Sequence, residues 1–202
     1  MSRAENTRAI LLDAALAAFA RRGVRATTLE QVAASAKLTR GAVYWHFPDK
    51  SALVQAVFEN LAWPFDIGSD LDAYRQTGNA LSLLGEVLCR QISNCLADTR
   101  QRRMVEVVVR YRGTSDLPAG LSARLDQMVL QALQHLNAVI KLAYMRGELR
   151  LGLTPTDVAH YILATSTGVI AVNMLNQPPD PSSSFHMLPE LVLFGIRAQT
   201  IK

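Results

Sequence analysis

Residues 39–50, TRGAVYWHFPDK, set Tyr44, Trp45 and Phe47 beside His46 and between the cations Arg40 and Lys50. With 6 Phe, 2 Trp and 5 Tyr in 202 residues, such crowding marks a core, a ligand site or a surface for a polyanion. The side chains suit the third of these. Arg40 carries a planar fork able to donate two hydrogen bonds to O6 and N7 of guanine, and Thr39 adds a hydroxyl. Gly41 permits close backbone approach, and Tyr44 presents a phenol to a phosphate or a thymine methyl. Lys50 falls in a first helical turn, where a cation opposes the helix dipole but can grip a phosphate. Val43 and Phe47 continue an apolar stripe from Leu38 and are expected to pack on Val32 and Ala33. Trp45 is expected to be intermediate, and His46 to face phosphates with Tyr44.

Covalent and redox chemistry finds no comparable signal. The chain has no GxSxG, Walker loop, HExxH or glycine-rich dinucleotide turn. His46, His135, His160 and His186 are scattered without ligand spacing, so no metal and no cofactor are expected. Asp66, Asp70 and Asp72 lie among loop-forming residues and read as a solvated loop. Cys89 and Cys95 are six apart, which on a helix separates them by about 240°. They form no CxxC motif and read as buried thiols in a reducing compartment.

The elements that must position these residues are helices, because apolar residues recur three and four apart almost throughout. A first helix ends at Gly23 behind Arg21 and Arg22, cations suited to its negative end. The second starts with a capping box, either Thr27 with Glu30 or Thr28 with Gln31. It is interrupted at 36–38, and a third runs from Thr39 to about His46, stopped by Pro48. Asp49 caps a fourth, with a break expected at Pro64 and loop over 66–78. Further helices are expected at about 79–98, 101–112, 118–146, 155–176 and 185–200, with QPPDPSSS an exposed loop.

Two short helices joined by a tight turn describe a helix-turn-helix, whose second helix enters the DNA major groove. Charge agrees. The chain carries a formal net charge of +4, and residues 1–55 hold all the excess, eight Lys and Arg against four Asp and Glu. The rest is balanced, so a basic head, residues 1–48, precedes a neutral body, residues 49–202.

The segment TTLEQVAASAKLTRGAVYWHFPDKSALV resembles the DNA-binding segment of TetR-family repressors, and GAVYWHFPDK is similar to the AcrR-like efflux regulators. The specific motif covers about residues 8–58. The resemblance implies an all-α fold of three DNA-binding helices and six helices for ligand binding and dimerisation, without catalysis. It implies that Thr28 contacts phosphate, that Thr39 and Arg40 touch bases, and that Tyr44, His46 and Lys50 hold the backbone. Where relatives usually have Ala-Gly-Val in the turn, this chain has Ala36-Lys37-Leu38. Either the turn differs or Lys37 accepts a left-handed conformation costing about 1–2 kcal/mol, recovered through a phosphate.

In the body, Ala164, Gly168, Ala171 and Leu175 form a small-residue stripe. With Leu188, Val192 and Gly195 of the last helix they are expected to make a four-helix interface with a second copy. A homodimer would set two recognition helices about 34–36 Å apart on a palindromic double-stranded operator. A ligand that displaces the fourth helix would change that spacing. Phe58, Ala62, Phe65, Cys89, Ile92, Met104, Val108, Tyr111, Met128 and Gln131 are the candidates to line its cavity. Their methionines and aromatics suit a hydrophobic or aromatic compound.

The function expected is therefore a ligand-responsive repressor of a multidrug efflux operon. A ligand-independent DNA-binding protein and a small helical enzyme are the alternatives. No membrane span is expected, since the most apolar late stretch contains Thr165, Ser166, Thr167 and Asn173. Asp13 interrupts the only signal-like run, which points to a cytoplasmic, nucleoid-associated protein.

Overall fold

The computed structural model describes residues 3–63, 65–112, 114, 117, 119–150, 152–175 and 188–197, with the backbone alone at 119, 173–175 and 188–191. The described residues form ten α-helices and one 3-10 turn. In chain order these are α1 (Arg3–Arg22), α2 (Leu29–Ser35), α3 (Arg40–His46), α4 (Lys50–Glu59), the 3-10 turn (Gly68–Asp70), α5 (Leu71–Gln76), α6 (Ala80–Ala97), α7 (Thr99–Tyr111), α8 (Ala119–Met145), α9 (Pro155–Leu175) and α10 (Leu188–Ile196). Among them there is no strand, only an isolated antiparallel bridge between Leu149 and Arg197. No described helix is long and apolar enough to cross a membrane.

The chain forms two compact units, Met1–Ala62 with Arg103–Asp126, and Trp63–Arg102 with Gln127–Lys202. The unit that carries α1 to α3 therefore also contains α4 and residues 103–126. In it α1 buries Leu11, Ala15, Leu16 and Phe19, and packs against α2 and α4. That helix stops where Gly23 takes a φ of 89°, a left-handed value that a side chain resists.

Residues of α7 and α8 then satisfy the ends of these N-terminal helices. The Val24 N–H donates to the Tyr111 hydroxyl at 2.5 Å, and Arg110 reaches the Phe19 carbonyl at 3.5 Å. Arg124 donates to the carbonyls of Phe58 and Glu59 at 3.1 and 2.7 Å, closing the last turn of α4. Unpaired carbonyls at a helix end need such partners.

In the second unit α6 is the central element, packed against α5, α9 and α10 and burying Leu81, Leu84, Leu88 and Ile92. Its first turn is closed twice. Asn79 accepts from the Ser82 N–H at 2.8 Å, and the Glu148 carboxylate accepts from the N–H groups of Ala80 and Leu81 at 3.1 and 2.8 Å. Cys95, on the same helix, is buried, and burial pushes its thiol up to about 12, so it stays protonated at neutral pH.

Several expectations change. The stretch 66–78 is not all loop, because Tyr74 is driven inward to 1% exposure and organises α5 around it. Arg146 donates to the carbonyls of Arg75 and Thr77 at 2.9 and 2.7 Å, which closes that short helix. Nor is Asp66 a solvated loop carboxylate. It is half-buried, 2.5 Å from His135 Nδ1, and accepts from the Gly68 N–H at 2.9 Å. A side chain at Gly68 would overlap the His135 ring. The fourth helix stops at Glu59; Pro64, the loop 177–184 and His186 lie outside the described residues.

Tyr111→Phe should lower unfolding stability by about 1–3 kcal/mol, because it leaves the buried Val24 N–H without its acceptor. Urea denaturation of the two proteins measures this, and an unchanged midpoint would remove Tyr111 from its role in closing α1.

Candidate nucleic-acid interface

The turn between α2 and α3 is built by local hydrogen bonding. Thr28, not Thr27, is the cap of α2: it accepts from the Gln31 N–H at 3.2 Å while Gln31 accepts from the Thr28 N–H at 3.1 Å. Thr27 is buried and donates to the Gly23 carbonyl at 2.8 Å, so its hydroxyl is used inward. At the other end of α2 the Lys37 N–H reaches the Ala34 carbonyl at 3.1 Å and the Leu38 N–H reaches Ala33 at 2.9 Å. This paired closure requires a left-handed residue between them, ordinarily glycine. Lys37 occupies that place with a φ of 55°, the one positive value among the described non-glycine residues. Its side chain is exposed.

Thr39 caps α3 by accepting from the Ala42 N–H at 3.2 Å, which leaves its own hydroxyl proton free to donate. Val43 and Phe47 are buried at 0 and 2% exposure, and Arg8 stacks its guanidinium 5.4 Å from the Phe47 ring centre. With those two side chains inward, Thr39, Arg40, Gly41 and Tyr44 face out. Trp45 differs from its intermediate expectation: it is 73% exposed, with the His46 ring edge-on at 4.5 Å. Lys50 is half-buried and donates to the Arg25 carbonyl at 2.8 Å, while its ammonium has further donors for a phosphate.

Gly41 has no internal explanation. A Cβ there would meet nothing nearer than the Thr39 hydroxyl oxygen at 4.0 Å. Glycine inside a helix costs about 1 kcal/mol relative to alanine, and no packing among the described residues offsets that cost here.

One residue of this surface was not read as a site residue in the sequence. Glu30, on α2, is 3.3 Å from Arg40 Nε and accepts from the Tyr44 hydroxyl at 3.2 Å. Arg40 in turn lies 5.3 Å from the Tyr44 ring centre and donates to its hydroxyl at 3.5 Å. The Glu30 backbone N–H, then the Thr28 hydroxyl, then Tyr44 and Arg40 hold the Glu30 carboxyl below its ordinary range. The available signal is an acidic residue in the first turn of α2 within a head of net positive charge.

Of the ten residues expected around a ligand, five belong to the first unit and five to the second. Phe58, Met104, Val108 and Tyr111 are buried in the first unit, with the Phe58 and Tyr111 rings edge-to-face at 6.3 Å, and Ala62 is exposed there. Phe65 and Ile92 are buried in the second unit, Cys89 and Met128 half-buried and Gln131 exposed. Ile92 lines a small, partly open cleft together with Leu88, Ile162, Ser166, Val169 and Val192. Val192 was expected at the dimer interface. Of the other residues expected there, Ala164 and Gly195 are exposed, Gly168 and Ala171 half-exposed, and the side chains of Leu175 and Leu188 lie outside the described residues.

Residues 11–57 match the model for bacterial regulatory proteins of the tetR family. The transcriptional regulator TtgR of Pseudomonas putida is 30% identical over 167 residues, 83% of this chain and 80% of that protein. Among solved structures, the SmeT–triclosan complex superposes with a TM-score of 0.71 at 29% identity, covering 96% of this chain and 92% of the other. SmeT is the repressor of the Stenotrophomonas maltophilia multidrug efflux pump SmeDEF. NalD, the secondary repressor of the MexAB-OprM multidrug efflux pump in Pseudomonas aeruginosa, superposes with a TM-score of 0.73 at 25% identity, covering 97% and 98%. An exposed recognition face on a helix-turn-helix, within a chain that keeps this similarity over most of its length, has one reading: the chain belongs to the TetR family of bacterial regulatory proteins.

Proposed function

We propose that this protein is a homodimeric repressor that binds a palindromic operator through residues 1–48 and is released by a hydrophobic or aromatic compound held in residues 49–202. The genes it controls encode a multidrug efflux system. The observation that carries the reading is the outward face of α3, where Thr39, Arg40, Gly41 and Tyr44 stand over a sealed Val43 and Phe47. Arg40 and Thr39 read bases. Thr28, Lys37, Tyr44, Trp45, His46 and Lys50 hold phosphates or the sugar backbone. No step of covalent chemistry is assigned to any residue.

Dimerisation is supported by apolar surface on the last two helices. Tyr161 and Val172 on α9 and Phe194 on α10 are 57, 47 and 75% exposed, beside Ala164, Gly168 and Gly195. Apolar side chains next to small residues suit the close helix contacts of a symmetric four-helix interface. Ligand binding is supported by the second unit's buried polar atoms. Trp63 Nε1, Tyr74 Oη, Gln91 Oε1 and Asn137 Oδ1 have no hydrogen-bond partner among the described residues. Such groups are costly in an apolar interior and would be satisfied by a guest carrying its own donor and acceptor. Each 1.4 kcal/mol of coupling between guest and operator lowers operator affinity about tenfold.

Footprinting on the DNA flanking its own gene tests the reading, with a palindromic protected site expected. Equal affinity for that site and a scrambled duplex would reject it. On the footprinted duplex, Arg40→Ala should cost about 1–3 kcal/mol and relax preference at one base pair, whereas Lys50→Ala should weaken every sequence alike. Gel shifts on single-base variants distinguish the two patterns.

Lys37→Gly should raise stability by about 1 kcal/mol by relieving the left-handed strain, yet weaken DNA binding through loss of a phosphate contact. A thermal melt and a salt titration read the two effects, and retained affinity would take Lys37 out of the interface. Phe194→Glu should leave helicity intact but give monomers by light scattering and lose operator binding; a dimer that persists would move the interface elsewhere.

A further inference from the structure

The feature that the base-reading role of α3 leaves unexplained is a carboxylate of α2 set against its reading face. Glu30 Oε1 alone holds both Arg40 Nε, at 3.3 Å, and the Tyr44 hydroxyl, at 3.2 Å. All three residues are exposed, so the contacts are not a by-product of burial. A negative charge facing a polyanion weakens binding, and an exposed ion pair contributes little stability in return. Helix electrostatics account for an acidic residue in the first turn of α2. They do not account for its reaching across to α3, since a carboxylate turned to solvent would serve the dipole equally.

The geometry has a directional consequence. A guanidinium presents two forked edges, one made of Nε and a terminal nitrogen, the other of the two terminal nitrogens. Engaging Nε at Glu30 and one terminal nitrogen at the Tyr44 hydroxyl, 3.5 Å away, leaves N–H groups of the end-on edge, and the Tyr44 ring at 5.3 Å limits where that edge can point. An arginine so held can meet two acceptors on one base edge. Released, the same side chain would swing to whichever phosphate lay nearest.

We infer that Glu30 is a specificity-determining positioning residue: it aims Arg40 at bases and holds Tyr44 beside it, and its own charge penalises attachment to DNA that offers no matching site. The inference rests on the reading of α3 as a base-reading helix. It assigns the discrimination between operator and other DNA partly to a residue that itself lowers affinity.

The test compares Glu30→Gln, Glu30→Asp, Arg40→Ala and the double variant Glu30→Gln/Arg40→Ala in the full-length protein. Fluorescence anisotropy at one salt concentration measures each on the footprinted duplex and on a scrambled duplex of equal composition. Glu30→Gln should bind the scrambled duplex several-fold tighter, and its ratio of operator to scrambled affinity should fall about tenfold or more. Glu30→Asp keeps the charge and shortens the reach, so its ratio should fall with no gain on scrambled DNA. In the Arg40→Ala background the Gln substitution should lower the ratio no further, because coupled residues do not add.

A purely structural role would lower the melting temperature and move both duplexes together. If the unsubstituted protein discriminates and Glu30→Gln discriminates equally, the inference fails while the repressor reading stands. The inference also fails if the Glu30 and Arg40 effects simply add. If the unsubstituted protein binds both duplexes alike, the repressor reading fails and takes this inference with it.

Discussion

The burial of Val43 and Phe47 beneath a helix of only seven residues is the constraint on which the recognition surface depends. A helix that short is not stable alone, and its orientation is set by what it buries. Val43 on the helix and Phe47 at its extended C-cap fix the inward direction, and the other helical side chains follow from helical geometry. The α2–α3 turn then sets the height at which this face stands. It closes with hydrogen bonds at 2.9 and 3.1 Å around a lysine in glycine's usual conformation, so the strain at Lys37 is local and the helices it joins are undistorted.

Lys50 shows how the head resolves a local conflict. It stands at the first residue of α4, where a cation opposes the helix dipole by about 0.3–1 kcal/mol. Its amine reaches back 2.8 Å to the Arg25 carbonyl, in the segment that follows α1. A charge-assisted hydrogen bond of that length offsets the dipole term and ties the start of α4 to the end of α1. Asp49, accepting from the Ala52 N–H at 2.8 Å, caps the same turn. The residue that suits a phosphate is thus already oriented by the fold.

What the sequence disclosed and what it withheld divide by range. Caps, stops and the inward pair Val43 and Phe47 are read from neighbours within four residues, and these were legible. The choice between Thr27 and Thr28 was not, because both frames satisfy the local pattern and only the burial of Thr27 against the Gly23 carbonyl decides between them. Glu30 was hidden for a related reason: its partners lie ten and fourteen residues on, across a turn whose angle the sequence does not state. The helix at 71–76 was obscured by flanking Gly, Asp and Thr, with Tyr74 its single strong inward residue. Helix order says nothing of which compact unit a residue joins, and Phe58, Met104, Val108 and Tyr111 are buried in the unit that holds the helix-turn-helix.

Helical glycines give an independent line on where this molecule meets others. Gly41, Gly168 and Gly195 sit inside or near the end of helices with ordinary backbone angles, and at none of them would an added Cβ meet another group closer than 4.0 Å. Each forgoes about 1 kcal/mol of helix stability without any contact among the described residues that needs the space. Gly68 shows the opposite case, a glycine demanded by the His135 ring against it. A glycine that the fold does not need is best explained by a surface that approaches from outside. Gly41 lies on the face proposed for DNA. Gly168 and Gly195 lie beside Tyr161, Val172 and Phe194, on the helices proposed to pack against a second copy. Gly120 in the first turn of α8 is equally open, so an open helical glycine accompanies both proposed surfaces without being confined to them, and it does so without reference to charge, which favours the first and is indifferent to the second.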